Sequence, residues 1–339
     1  MTTIETGLIP IFPYGLALAG GALISLLLMQ GRSRRQGLRP GTVSWFAILV
    51  LPLAVICGRL LYFLVSLPWF IDRGIGTFFH FSEGGYMLYG AMAGTVLAAW
   101  IAGRITQQST ARILDAAAAP FALFTAAARG AEYFAGIGLG EYIEEWFDPM
   151  FSRSMIELED SSFFQRFPFG VLDADEYWRF PVFLLEAVVA LVFFIILLRI
   201  RTRKEGPRAL LFVGMYAAMQ TFLESIRIDL ELRWGFVKVN QLLALPVMAL
   251  IIAVCVLRLP KEQRSLRGPA YYTAVILLCC GVIMAMEFAL ESKIGFLTWM
   301  RMDLCWMVML AASVCMAVCV CRMILKSENA WRKGEITDA

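Results

Sequence analysis

Hydrophobic residues in this chain are gathered into long runs, which short polar or charged connections separate. Nine runs can be distinguished, at about residues 8–29, 44–68, 86–103, 113–128, 180–199, 209–226, 239–258, 270–288 and 302–322. Most of them approach the ~20 residues that a helix needs to cross the hydrocarbon of a bilayer. The pattern therefore predicts an all-α fold: a polytopic integral membrane helix bundle with about nine transmembrane helices.

The composition agrees with this prediction. Hydrophobic residues make up 60% of the chain and charged residues 17%, whereas soluble domains contain about 45–50% and about 25%. The net charge of +3 averages basic and acidic connections, so it does not indicate a nucleic-acid partner. We expect a membrane protein that binds no nucleic acid.

Arginine and lysine cluster in alternate connections. The clusters are Arg32, Arg34, Arg35 and Arg39; Arg104 and Arg112; Arg199, Arg201, Arg203, Lys204 and Arg208; Arg258, Lys261, Arg264 and Arg267; and Arg322, Lys326, Arg332 and Lys333. With nine spans, all of them lie on one side, which the positive-inside rule makes cytoplasmic. The N-terminus is then outside and the C-terminus inside. Removing the short fourth run would move the later clusters outside, so the charge pattern supports that span.

The segment 130–179 is the one long insert between runs, and it is strongly acidic. The predicted topology places it on the outer face, where it is either a lid or partner surface over a pocket or simply a solvated acidic loop. The eight cysteines all lie within the runs, and the chain has a single histidine. Without ligand spacing a metal site is not expected, and packing is the expected role of the cysteines. No cofactor is expected.

Several charged or strongly polar residues lie within the runs or at their ends: Arg59, Glu83, Arg129, Glu186, Gln220, Glu224 and Arg227. A charge at lipid depth costs roughly 2.5–3.5 kcal/mol on insertion scales, so such residues pair with each other or face a cavity. Gln220, Glu224 and Arg227 are four and three residues apart, which puts them on one helix face. The pattern predicts a polar pocket that opens to the outer side. The alternatives are a structural Glu224–Arg227 ion pair and snorkelling of Arg129 to the interface.

Two glycine-containing elements have two interpretations. Gly84 and Gly85 precede the third run, and their amide N–H groups could bind an anion. Gly90 and Gly94 have the Gly-x-x-x-Gly spacing of close helix packing instead.

Taken in order, these elements resemble the prolipoprotein diacylglyceryl transferase family, over about residues 8–260. The matching segments are Tyr14-Gly15, Gly58-Arg59 with Tyr62, Glu83-Gly84-Gly85 with Tyr89-Gly90, Ala128-Arg129, Phe180-Pro181 with Glu186, Glu224 with Arg227 and Asp229, and Gln241-Leu242-Leu243 with Pro246. Each segment is short, but their order and spacing together are fairly specific. The seven-span plan of that family agrees with the predicted topology.

The resemblance implies a transferase-like membrane domain at 1–260, two additional spans within 261–325 and a cytoplasmic tail at 326–339. It implies transfer of a diacylglyceryl group from phosphatidylglycerol to the lipobox cysteine of a prolipoprotein, in the bacterial plasma membrane. The partners would be phosphatidylglycerol, prolipoprotein signal peptides and membrane lipids.

The resemblance also suggests roles for residues. Arg129 would contact the phosphate, with Arg59 or Arg227 as a second cation and the amides of Gly84 and Gly85 in support. Glu186 and Glu224 would orient the arginines, and Tyr14 and Gln220 would contribute to substrate binding. Tyr89 could donate a hydrogen bond to the phosphate. Because the ordinary tyrosine pKa of about 10 makes a poor general base, Glu83 is an equal candidate for that role.

The chain departs from the family pattern where chemistry is expected. Tyr89 stands in place of the family histidine, Glu132 in place of an asparagine and Gln220 in place of an arginine. The alternative is therefore a catalytically inactive relative that binds lipid or precursor. A transporter is a weaker alternative, because the sequence lacks the paired broken helices of such folds.

Overall fold

The structure, a computed structural model, describes residues 4–5, 10–81, 84–143, 165–202, 204–228, 232–234, 237–258, 267–290 and 300–337. Its α-helices are α1 (Pro13–Arg32), α2 (Thr42–Val65), α3 (Leu67–Arg73), α4 (Leu88–Thr106), α5 (Thr110–Ala135), α6 (Val182–Arg199), α7 (Pro207–Ile226), α8 (Val239–Leu257), α9 (Arg267–Leu290) and α10 (Met302–Thr337). Two short 3₁₀ helices lie at Arg34–Gln36 and Ile75–Phe79.

Three two-stranded antiparallel ladders complete the described secondary structure. They join β1 (Ile4–Glu5) to β2 (Pro10–Ile11), β3 (Val171–Leu172) to β4 (Trp178–Arg179), and β5 (Arg233–Trp234) to β6 (Val237–Lys238). In the β3–β4 ladder Val171 is opposite Arg179, and in the β5–β6 ladder Arg233 is opposite Lys238.

Nine of the described helices, all except α3, are long and apolar enough to cross a membrane. They coincide with the nine hydrophobic runs, which confirms the prediction of a polytopic all-α membrane protein. The fourth span is longer than its apolar run, because α5 continues to Ala135 through Arg129 and Glu132, whose side chains are paired inside the protein. The last helix continues to Thr337, well into the segment predicted to be a tail. The orientation in the membrane stays a prediction.

The chain divides into two compact units. The small unit comprises Leu23–Phe121 and Lys204–Ala209, and the large unit comprises Met1–Ala22, Ala122–Arg203 and Leu210–Ala339.

Close packing of α2 on α4 organises the small unit. A Cβ atom added at Gly94 would lie 2.7 Å from the carbonyl carbon of Leu53 and 2.8 Å from Cα of Ala54. One added at Gly90 would lie 2.8 Å from Cα of Gly58. These distances are too short for any side chain, so the Gly-x-x-x-Gly spacing serves helix packing.

The carboxylate of Asp115, within the fourth span, also has a structural role in the small unit. It accepts hydrogen bonds from the backbone N–H groups of Gly206 (2.8 Å) and Ala209 (2.9 Å). These N–H groups lie at the start of α7, where a helix has unpaired donors and its dipole favours negative charge. Asp115 therefore fixes the point at which α7 begins.

In the large unit, α9 and α10 pack on each other. They are the two spans beyond the transferase-like segment. The eight cysteines are free thiols in α2, α8, α9 and α10, which confirms their predicted location in the spans.

The described parts of the acidic insert fold onto themselves. Arg179 pairs with Asp173 at 2.5 Å and donates a hydrogen bond to the hydroxyl of Tyr142 at 2.9 Å. Burial alone would raise the pKa of Asp173, but hydrogen bonds from Arg179 and from the N–H groups of Tyr177 and Asp175 outweigh it and lower that pKa. Residues 144–164, which carry much of the insert's acidic charge, lie outside the described residues, so the lid interpretation stays a prediction.

Candidate functional site

Four charged side chains form an alternating ring in the large unit: two on α5, one on α6 and one at the residue that follows α7. Arg129 Nη1 lies 2.7 Å from Glu132 Oε1 and 3.3 Å from Glu186 Oε2. Arg227 Nη1 lies 2.8 Å from the same Glu186 oxygen, and its Nη2 lies 3.2 Å from Glu132 Oε2. Both guanidinium groups therefore contact both carboxylates. We call these four residues the charged ring.

The charged ring is nearly removed from solvent. Glu186 is 3% exposed, and Glu132 and Arg227 are each 7% exposed. Two guanidinium groups held this close repel each other, and in a low-dielectric interior only intervening carboxylates make the arrangement stable. The ring contains two positive and two negative charges, so it satisfies this requirement.

A glycine-rich turn after α5 brings the members of the ring together. Gly136 and Gly138 have φ values of 64° and 78°, a left-handed conformation that glycine adopts without strain. A Cβ atom at Gly138 would lie 2.6 Å from that of Phe183 and would also strike the Glu132 carboxylate. The sequence Gly-x-Gly is needed here because the turn passes directly over Glu132, a member of the charged ring.

Backbone hydrogen bonds tie this turn to the next two helices. Phe183 N–H, at the start of α6, donates to the carbonyl of Gly138 at 2.8 Å. Ile228 N–H, just beyond α7, donates to the carbonyl of Leu139 at 3.0 Å. One turn therefore sets the spacing of the helix ends that carry Glu132, Glu186 and Arg227.

A second polar group lies beside the ring on α7. Glu224 is 1% exposed, and its Oε1 accepts hydrogen bonds from the side-chain amides of Gln220 (2.5 Å) and Asn240 (2.6 Å). Gln220 also donates to Glu186 Oε1 at 3.4 Å. Among the ion pairs that the described residues form, Glu186 and Glu132 hold the two arginines, whereas we expected Glu186 and Glu224 in that role.

Tyr216 and Tyr14 extend the site. The hydroxyl of Tyr216 accepts a hydrogen bond from Arg129 Nη2 at 3.2 Å. Tyr14, near the start of α1, lies within the electrostatic reach of Glu132, Arg129 and Arg227. Tyr14 therefore lies near the charged ring, and its role in substrate binding stays a prediction.

Lys238 binds the C-terminal end of α7. Its ammonium group donates hydrogen bonds to the backbone carbonyls of Glu224 and Arg227, and the residue is 6% exposed. The last carbonyls of a helix lack intrahelical partners and attract cations, so Lys238 supports the backbone that carries two polar members of the site.

The remaining predicted site residues belong to the small unit and have contacts there. Arg59 is 2% exposed, and its guanidinium donates only to backbone carbonyls among its described hydrogen bonds. The acceptors are the carbonyls of Thr77 (3.0 Å), Phe78 (3.1 Å), His80 (3.3 Å), Gly84 and Gly85 (3.3 Å). Arg59 thus organises the loop before α4, a role that the sequence did not indicate.

The double glycine completes this arrangement around Arg59. Gly84 and Gly85 have φ values of 79° and 75°, and a Cβ atom at Gly85 would lie 2.5 Å from Arg59 Nη1 and 2.7 Å from the ring of Tyr62. The carbonyl groups of Gly84 and Gly85 accept hydrogen bonds from Arg59. Tyr89 is buried in the first turn of α4 at 8% exposure. Glu83 lies outside the described residues.

Four residues of the site escaped the reasoning from sequence or were not given a role by it. Tyr216 precedes Gln220 by four residues, and Glu132 follows Arg129 by three, so helical spacing was the available signal for both. Asn240 lies at the start of α8 and had no local signal for a contact with Glu224. Lys238 had no local signal, because its carbonyl partners come from another helix.

Known proteins similar to this chain point to one family. Residues 2–257 match the family described as prolipoprotein diacylglyceryl transferase. A phosphatidylglycerol–prolipoprotein diacylglyceryl transferase of Listeria monocytogenes is 28% identical over 272 residues, 79% of this chain and 91% of the relative. Proteins of the same name from Enterococcus faecalis and Clostridioides difficile are 27% and 24% identical, and they cover 74% and 70% of this chain and 87% and 86% of their own lengths. The family match ends before α9.

Proposed function

This chain belongs to the prolipoprotein diacylglyceryl transferase family, and we propose that it transfers a diacylglyceryl group from phosphatidylglycerol to the lipobox cysteine of prolipoproteins. The observation that carries this proposal within the structure is the charged ring. Arg129 on α5 and Arg227, just beyond α7, share a buried site with their orienting carboxylates, at the span ends that the charge pattern predicts to be outside.

The reaction forms one bond and breaks another. The cysteine thiol loses its proton, the thiolate sulfur attacks the glyceryl carbon that is esterified to phosphate, and a thioether forms. The carbon–oxygen bond breaks, and glycerol phosphate leaves with the electron pair. Negative charge therefore gathers on the departing phosphate, and loss of one preorganised donor to such a group costs roughly 2.7–4 kcal/mol of transition-state stabilisation.

We assign the contacts to the phosphate to Arg129 and Arg227. A guanidinium has five N–H donors in a planar fork that matches phosphate oxygens, and Glu132 and Glu186 hold the two forks in place. Tyr216 restrains Arg129 from the other side. Gln220 and Tyr14 complete the proposed substrate-binding region, and Tyr89 and Glu83 are the proposed candidates for the proton transfer.

Arg59 takes a different place in the proposal. Its carbonyl partners support a role in shaping the Gly84–Gly85 loop rather than direct contact with the headgroup. We therefore propose Arg227, and not Arg59, as the second cation.

The setting follows from the same proposal. The protein is a multi-pass membrane protein that acts on lipid and on protein, and we propose that it works at the outer face of the bacterial plasma membrane. Phosphatidylglycerol would enter from the bilayer, and the signal peptide of the precursor would present its cysteine.

Mass spectrometry of a lipobox peptide tests this function. Purified protein in phosphatidylglycerol nanodiscs should add a diacylglyceryl mass to the cysteine, and Arg129→Ala should abolish the product. Arg104→Ala is the control, because Arg104 stacks on Trp100 in the small unit and should stay active. Binding of phosphatidylglycerol by a folded protein that never modifies the peptide would instead establish the inactive relative.

A further inference from the structure

Helix α7 has polar side chains on two sides. Gln220 and Glu224, together with Arg227 one residue beyond the helix, contribute to the site, whereas Thr221 and Ser225 contact α10. The hydroxyl oxygens of Thr221 and Ser313 are 3.0 Å apart, and the Ser225 hydroxyl donates to the sulfur of Met309 at 3.6 Å. Ser313 and Met309 are fully buried. The added pair of spans therefore packs directly against the helix that carries the site.

A carboxylate from the added pair also reaches a segment that the family resemblance includes. Gln241 Nε2 donates to Glu287 Oε1 of α9 at 2.6 Å and to the carbonyl of Thr221 at 2.9 Å. The Gln241 Oε1 accepts from Lys238 N–H at 3.3 Å. Because an ionised carboxylate only accepts hydrogen bonds, Glu287 determines which end of the Gln241 amide points towards α7.

These contacts continue to the site itself. Gln241 accepts from the backbone N–H of Lys238, the residue just before α8, and the Lys238 ammonium donates to the carbonyls of Glu224 and Arg227. An acid on an added span thus lies at the beginning of a hydrogen-bonded chain that ends at a proposed phosphate ligand. A carboxylate at membrane depth is expensive and tends to be functional.

We propose that Glu287 is a positioning residue for the transferase site, and that the two added spans hold the end of α7 in the orientation that the headgroup requires. This inference rests on the proposed function. It assigns the added spans, which lie outside the family match, a role within the site of the same chain.

Variants of the full-length protein in nanodiscs test the proposal. Glu287→Met and Glu287→Ala each remove the acceptor, whereas Glu287→Gln keeps a carbonyl that can accept from Gln241. Asp303→Ala is the matched control, because Asp303 is also a carboxylate on the added pair and its described ion pair is with Arg301. Peptide modification is measured against the mole fraction of phosphatidylglycerol, and hydrogen exchange is measured over residues 220–226.

We expect Glu287→Met to lower kcat/KM about tenfold, mainly through kcat, since one charge-assisted hydrogen bond is lost. Exchange at residues 220–226 should accelerate in parallel. Glu287→Gln should stay within about threefold of the unmodified protein, and Asp303→Ala should change neither readout. Either Glu287→Met or Glu287→Ala suffices if the other does not fold.

Three results would overturn the proposal: unchanged kcat/KM in a folded Glu287→Met or Glu287→Ala protein, an equal loss in Asp303→Ala, or an equal loss in Glu287→Gln. If the protein without substitutions modifies no peptide, the proposed function is wrong, independently of the role of Glu287. Hydrogen exchange then decides the inference, and unchanged protection of residues 220–226 in Glu287→Met would overturn it.

Discussion

The charged ring makes a quantitative prediction about the coupling between Glu186 and Arg227. Their closest atoms are 2.8 Å apart, with side-chain exposures of 2% and 8%. We expect each single change, Glu186→Gln or Arg227→Gln, to destabilise the protein strongly, because each leaves a buried charge without its partner. Removing one member of a buried pair costs about 3–5 kcal/mol. The double variant should lose much less than the sum of the two.

The size of the coupling follows from distance and dielectric. At 2.8 Å and an effective dielectric constant of about 20, Coulomb attraction is about 6 kcal/mol, and desolvation offsets part of it. We therefore expect a coupling energy of about 2–3 kcal/mol. The Arg301–Asp303 pair is a suitable comparison, because its atoms are 3.1 Å apart but its side chains are 52% and 24% exposed. Solvent screening should reduce its coupling to about 0–1 kcal/mol.

The assay is a double-mutant cycle by reversible unfolding in mixed micelles with increasing dodecyl sulfate. Four proteins are compared for each pair: the unchanged chain, the two single variants and the double variant. Additive losses at Glu186 and Arg227 within about 0.5 kcal/mol would refute a buried, mutually compensating ring. Equal coupling in the two pairs would show that distance alone, and not burial, determines the interaction.

Three further predictions concern other parts of the chain. Gly94→Leu should destabilise the small unit by about 1–3 kcal/mol through overpacking against α2. Gly31→Ala is the control and should not destabilise it, because an added Cβ there meets nothing within 4 Å. Thermal unfolding in detergent measures both variants. Tyr216→Phe should lower kcat/KM about tenfold by releasing Arg129. Tyr133→Phe is the control: its side chain is half-exposed, and the rate should stay unchanged. Initial rates of peptide modification measure both variants. The lowered pKa of Asp173 means that its stabilising contribution is present above the ordinary value of about 3.9 and is lost as the pH falls through the lower folded value. Hydrogen-exchange protection of Tyr177 N–H, corrected for intrinsic rates, should follow that course. Asp173→Ala, which removes the acceptor oxygen, should lack the protection at neutral pH, and a pH profile shared by both proteins would contradict this.

Some of the site was accessible from residue spacing alone. Gln220, Glu224 and Arg227 were predicted to share a helix face, and Gln220 and Glu224 are indeed hydrogen-bonded. Arg129 was recognised because a charge at the end of an apolar run needs a partner. The pairing with Glu132 was accessible from its spacing, three residues along the same helix. The pairing with Glu186 was not, since Glu186 comes from α6 and either interface snorkelling or pairing explains an isolated arginine.

Arg59 shows where reasoning from residue type is insufficient. The family resemblance suggested a ligand for a phosphate, yet the described hydrogen-bond partners of Arg59 are carbonyl groups of one loop. A guanidinium binds carbonyl oxygens and phosphate oxygens by the same donors, so only the path of the backbone distinguishes the two roles. The positive φ values at Gly84 and Gly85 turn the carbonyls of that loop towards Arg59.

The sequence by itself determined the number and position of the membrane spans, because hydrocarbon selects long apolar runs regardless of how the helices later pack. It also indicated close helix packing at Gly90 and Gly94, since the Gly-x-x-x-Gly spacing puts both on one face of α4, but it did not identify α2 as the partner. Only the tertiary structure decided which charges meet. The charged ring depends on one glycine turn that joins α5, α6 and α7, and the link from Glu287 to Gln241 joins segments 46 residues apart. Pairing at such separations depends on three-dimensional packing, which no local pattern of residues encodes.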